Sequence, residues 1–101
     1  MPYVRISLMR PKAGQENEVN SLLDRLVDYY ERQPGYVTGY RLKNIDGSGR
    51  VGRMGVWERQ EDAEHAAQTD HDLAMRSQLN IVIDEDSHEE YSFEGVQANP
   101  A

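Results

Sequence analysis

Residues 3–9, YVRISLM, alternate Val4, Ile6 and Leu8 with Tyr3, Arg5, Ser7 and Met9, and a period of two marks a β-strand. The pattern then lengthens. In KAGQENEVNSLLDRLVDYYERQPG the apolar positions Val19, Leu22, Leu23, Leu26, Val27 and Tyr30 recur at helical spacing, and Pro34-Gly35 ends the run. YVTGYRLKN (36–44) and RVGRMGVWE (50–58) are strand-like segments around Asp46-Gly47, a turn signal, and predict a hairpin. From Glu61 to Leu79 the chain is helical in composition, with Ala63, Ala66 and Ala67 inward. A break at Thr69-Asp70, where Thr69 can cap a following turn, predicts one long helix or two short ones. IVIDEDSHEEYSFEGV passes through an acidic loop into a last strand at 89–96, and residues 96–101 are expected to form a loose tail.

The order βαββαβ predicts an α+β, ferredoxin-like fold in a single domain spanning 1–101. Two helices cover only one face of a four-stranded sheet, yet the strands carry large residues on both. Val4, Ile6, Leu8, Met54 and Val56 compete for burial with Tyr3, Met9, Tyr40, Leu42 and Trp57. Exposing either set would leave an apolar patch too large for an ordinary monomer. A homodimer joined sheet to sheet resolves the conflict.

Charge narrows the partners. The formal net charge is -7 over 101 residues, which disfavours nucleic acid and anionic membrane surfaces. Residues 1–57 carry nine basic and six acidic groups, and residues 58–101 carry two and twelve. The acidic last strand or its loop is therefore expected to meet the basic hairpin residues Arg41, Lys43, Arg50 and Arg53 of a partner. The absence of cysteine removes disulfides, thiolate nucleophiles and cysteine metal sites. No segment is apolar enough for a signal sequence or a membrane span, and a cytoplasmic protein is the expectation.

Several motifs have ordinary explanations. GSGRVG (47–52) fits G-x-G-x-x-G but leads into a strand, whereas a phosphate cradle needs a helix N-terminus; it reads as a hairpin tip. DEDSHEE (84–90) lacks the glycine and glutamate of a calcium loop and reads as a solvated acidic loop. His65 and His71 lie about 240° apart on a continuous helix and cannot clamp one metal ion, so no metal site is expected. Arg5, mid-strand on a small sheet, needs an anionic partner, either a carboxylate within the dimer or a ligand. The tyrosines at 3, 36, 40 and 91 could bind an aromatic molecule or simply reflect strand propensity.

KAGQENEV after strand one, QPGYVTGY into strand two and VWERQEDAEHAAQTDHDLAM from strand three into helix two together resemble the antibiotic biosynthesis monooxygenase family. Its members form dimeric α+β barrels of this element order. Trp57-Glu58, Glu61, Ala63, Thr69 and His71 match the family pattern residue by residue. The family contains cofactor-free quinone-forming monooxygenases, haem-degrading enzymes and members of no assigned activity. The haem-degrading branch uses an Asn on strand one with a Trp and a His on helix two. Matched without gaps, those positions are Ser7, Ala66 and Arg76 here, and none is retained.

The resemblance therefore implies oxygen-dependent oxidation of a phenolic or quinol-type aromatic molecule to a quinone, with no metal, flavin or other cofactor. The alternative is a non-catalytic small-molecule-binding or structural dimer. On the enzyme reading His71 accepts a proton, Arg5 or Arg76 favours the phenolate, and Trp57 and Tyr40 orient the rings. Ser7, at the strand-one position, adds a substrate contact. The resemblance carries Trp57 and His71; residue chemistry alone carries Arg5, Arg76 and Tyr40.

Overall fold

The computed structural model describes residues 1–98. Its elements are β1 (Tyr3–Met9), α1 (Glu16–Glu31), β2 (Tyr36–Leu42), β3 (Val51–Trp57), α2 (Gln60–Ala67), α3 (Asp70–Val82) and β4 (Glu89–Glu94). The four strands form one antiparallel sheet in the order β2-β3-β1-β4, the ferredoxin-like arrangement, with β1 and β3 at its centre.

Each predicted element is present, and the differences are at the ends. Helix α1 stops at Glu31, before Pro34-Gly35. Gly35 adopts φ +84°, and a Cβ there would collide with Asp62, so this glycine lets the chain pass tightly under α2. The second helical region divides where Thr69 was expected to cap. Thr69 accepts a hydrogen bond from the Asp72 backbone N–H, which starts α3. The hairpin loop spans 43–50 and is organised by Asn44. The Asn44 side-chain amide donates to Asp46, Ser48 and the Arg50 carbonyl, and its carbonyl accepts from Gly47 N–H. Strand β4 ends at Glu94 rather than 96. Residues 96–98 carry no helix or strand, and the remainder of the expected tail lies outside the described residues.

Between the sheet and the helices, Met9, Val19, Leu22, Leu23, Leu26 and Trp57 are almost fully buried. A buried leucine contributes roughly 1.5–3 kcal/mol through lost water contact. On β1 and β3 the face towards the helices carries Tyr3, Arg5, Ser7 and Met9 opposite Trp57, Gly55, Arg53 and Val51. The opposite face carries Val4, Ile6 and Leu8 opposite Val56, Met54 and Gly52.

One facing assignment is corrected. Tyr40 and Leu42 pair with Met54 and Gly52 and so belong with Val4, Ile6 and Leu8, not with Tyr3 and Trp57. The cause is an irregularity between Tyr36 and Thr38, since one extra residue inverts the alternation beyond it. The ion pairs expected across a dimer are also partly satisfied within the chain: Arg50 meets Glu89 at 2.8 Å and Arg41 meets Asp24 at 2.7 Å.

Candidate functional site

A cavity of about 210 Å³ opens between the central strands and α3. Its floor is Ser7 of β1 and Arg53 of β3, which are direct cross-strand partners, and its apolar wall is Leu26, Leu79 and Ile83. Arg76, Ser77 and Asn80 of α3 and His88, just before β4, complete the polar lining.

His88 arrives there because its loop is tied to the end of β1. Asp84 N–H donates to the Arg10 carbonyl at 2.7 Å, Arg10 N–H donates to Ser87 Oγ at 3.1 Å, and Asp86 turns the chain with φ 63°. The imidazole Nε2 then lies 2.7 Å from Ser7 Oγ. With the ring protonated on Nδ1, the serine hydroxyl donates to Nε2, which leaves the imidazole able to accept a proton through Ser7.

Arg76 is set by α3 itself. Four residues earlier, Asp72 is fully buried, and its Oδ2 lies 2.9 Å from Arg76 Nε as an ion pair without aligned hydrogen-bond geometry. Arg76 Nη2 also donates to the Ala67 carbonyl at 3.3 Å, at the end of α2. The other Asp72 oxygen accepts from the Tyr30 hydroxyl of α1. Burial pushes the Tyr30 phenol well above its ordinary value; Asp72 adds to the rise, and the charge on Arg53 opposes it. Tyr30 is thus a neutral donor.

Arg53 stacks on the face of the Tyr30 ring, its guanidinium carbon 4.7 Å from the ring centroid. The residue is only 6% exposed. Among the described residues it makes no side-chain hydrogen bond and has no carboxylate within 4.0 Å. Cation–π contact contributes about 1–2 kcal/mol at such a site, less than the several kcal/mol that burying an ion costs.

Of the residues picked out in the sequence, Ser7 and Arg76 meet in this cavity. The others are elsewhere. His71 is exposed, stacked 4.5 Å from Tyr29 in an open groove between α1 and α3, because the start of α3 turns it towards α1. Trp57 is 2% exposed and packed edge-on between Tyr30 and Tyr36, at 5.7 and 5.1 Å, as a core residue. Tyr40 is 61% exposed on the face away from the helices. Arg5 donates to the Tyr3 hydroxyl at 2.8 Å, and that hydroxyl contacts Ser92 Oγ at 2.7 Å. The partner found for Arg5 within the chain is therefore a phenol rather than a carboxylate.

His88, Arg53, Asp72 and Tyr30 were not singled out as site residues. Arg53 was visible in principle, since it shares the phase of Trp57 on β3, four residues away on the same buried face. Asp72 and Arg76 stand at i and i+4, the spacing of a helical ion pair. No comparable signal marks His88, whose approach to Ser7 depends on the path of the 84–87 loop.

Haem does not fit these residues. A cavity of about 210 Å³ does not enclose a tetrapyrrole macrocycle. Ala66, at one of the three haem-branch positions, is buried in the core rather than lining it. Among the described residues no group of three His, Asp or Glu side chains is placed to hold a metal ion, and no helix is long and apolar enough to cross a membrane.

Comparison with solved structures supports the fold. SnoaB, a cofactor-independent oxygenase from Streptomyces nogalater, superimposes with a TM-score of 0.83 at 20% identity, over 99% of this chain and 98% of that one. Rv0793 from Mycobacterium tuberculosis gives 0.85 at 14% identity, over 97% and 98%. A conserved protein from Methanosarcina mazei Go1 gives 0.83 at 11% identity, over 92% and 91%. No curated protein sequence matches the chain. A family model does: residues 2–78, which carry Ser7, Arg53 and Arg76, match the model described as antibiotic biosynthesis monooxygenase, and the chain belongs to that family.

Proposed function

We propose that the protein is an oxygen-dependent monooxygenase that oxidises a phenolic or quinol-type aromatic molecule to a quinone in the cavity between β1, β3 and α3, without metal or flavin. The observation that carries this reading is a hydrogen-bonded pair, Ser7 and His88, lining one partly apolar cavity together with Arg53 and Arg76. Family membership supports it, as does similarity in fold to SnoaB, described as a cofactor-independent oxygenase.

The chemistry asks little of a protein. An electron-rich phenolate can itself reduce oxygen, so the site has to remove a proton, hold the resulting charge and exclude water. His88 takes the hydroxyl proton, directly or through Ser7. Arg76, whose Nη1 is free of the contacts to Asp72 and Ala67, faces the phenolate oxygen. Electron transfer to oxygen and recombination form one C–O bond, giving a hydroperoxide. Loss of water then leaves the quinone carbonyl, with one oxygen atom in the product and the other in water. The two hydrogens of that water come from the substrate, so atoms and electrons balance. On this reading the roles first considered for His71, Arg5, Trp57 and Tyr40 pass to residues that share the cavity.

The same reading includes a homodimer. The uncovered sheet face presents Val4, Ile6, Leu8, Met54 and Val56, with Tyr40, Tyr91 and Phe93 exposed around them. A second copy is the simplest cover for this apolar surface. Oxygen uptake with anthrone in the presence of a chelator tests the activity: turnover that requires His88 and Arg76 supports it. No turnover on anthrone or simple quinols would leave a non-catalytic binding protein as the better reading.

A further inference from the structure

Arg53 is the more deeply buried of the two arginines that line the cavity. It lies on the central strand β3, 6% exposed, and among the described residues its charge meets only the face of Tyr30. The carboxylates on neighbouring elements do not reach it. Asp72 is engaged by Tyr30 and Arg76. Glu90, in the same cross-strand row beyond Ser7, makes no ion pair among the described residues. A second copy packed on the opposite sheet face would not supply one either, because Arg53 projects towards the helices.

A neutral phenol does not answer this charge. Phenols ionise near pH 10, so a resting substrate would bring no negative charge to Arg53 when it binds. A carboxylate is ionised at neutral pH, and its two oxygens match the planar donors of a guanidinium. We propose that Arg53 anchors a carboxylate carried by the substrate, so that the site takes an aromatic acid with its reacting hydroxyl turned towards Ser7 and His88. The inference rests on the reading of this cavity as a phenol-oxidising site and specifies the class of phenol. Arg53 is then a binding residue, while Ser7, His88 and Arg76 surround the reacting atoms.

Dihydroxynaphthoate and its uncharged methyl ester test it, with binding measured by calorimetry under anaerobic conditions and turnover by oxygen uptake. The acid should bind roughly tenfold to a hundredfold more tightly than the ester, the range expected for hydrogen bonds between charged groups. Arg53→Met should abolish that preference and Arg53→Lys should retain part of it. Without ligand, Arg53→Met should unfold at the same or a higher temperature than the parent, because an unpaired buried charge has been removed. Equal binding of acid and ester, or a preference that survives Arg53→Met, would overturn the proposal even if both compounds were oxidised. A preference dependent on Arg53 without oxygen uptake would instead uphold the carboxylate site and refute the monooxygenase reading.

Discussion

Replacing Asp72 by alanine tests the group that holds Arg76 at the cavity. Asp72 is fully buried and joins α1 to α3 by accepting from Tyr30 and pairing with Arg76. Its removal leaves the Tyr30 hydroxyl, on a residue 4% exposed, without an acceptor; an orphaned buried donor costs about 1–3 kcal/mol. The Arg76 side chain is 34% exposed and can recover water, so the lost ion pair adds no more than about 1 kcal/mol. Loss of a carboxylate in the first turn of α3 adds about 0.5 kcal/mol. The expected total is about 3 kcal/mol, or a fall in Tm of roughly 15 °C for a domain of this size. Urea unfolding followed by Trp57 fluorescence is a suitable assay, because the only tryptophan is buried against Tyr30. Tyr30→Phe alone should cost about 1.5–3 kcal/mol. The double variant should cost less than the two single variants combined, by about 1–2 kcal/mol. Additive costs, or an Asp72→Ala cost below about 1 kcal/mol, would refute the network.

Further outcomes follow from burial and charge. The Tyr30 phenol has a higher pKa in the folded protein than in the unfolded chain, chiefly through burial. Its contribution to stability is therefore present below pH ~10 and lost as pH rises towards the folded value, by up to about 1.4 kcal/mol per pH unit. Urea midpoints measured between neutral and strongly alkaline pH should show that decline, and Tyr30→Phe should make it shallower; an unchanged slope would contradict the assignment. Light scattering on a gel-filtration column should give twice the 11.6 kDa chain mass, and Ile6→Asp, at the centre of the uncovered sheet face, should yield monomer. A monomeric parent would remove the dimer from the account. With haemin, a reductant and oxygen, the Soret band should persist, because Ser7, Ala66 and Arg76 stand where the haem-degrading branch has other residues; biliverdin-like products would show otherwise.

The fold was legible because its signals are local. The alternation in 3–9, the leucine stripe of α1 and the cap at Thr69 each report the backbone around them, and β1 matches its predicted span. The facing of β2 was not legible, since the irregularity near Val37 leaves no mark in the polar pattern yet inverts Tyr40 and Leu42. The site was legible in part. Ser7 and Arg76, picked out by position, both line the cavity, whereas His71 lies in a separate groove between α1 and α3. His88 contributes through a loop pinned to Arg10, a long-range contact that no period encodes. Arg53 was read by its charge as a surface partner, although its strand phase places it indoors. Where charge and periodicity disagreed about that residue, periodicity gave its position.

The most direct measurement is anthrone-dependent oxygen consumption, with chelator present, compared across His88→Ala, Arg76→Met and His71→Ala. The cavity account predicts that the first two lose at least about a hundredfold in kcat/KM, the scale on which a general base contributes, and that His71→Ala matches the parent. Unchanged turnover in the cavity variants, or loss confined to His71→Ala, would contradict it.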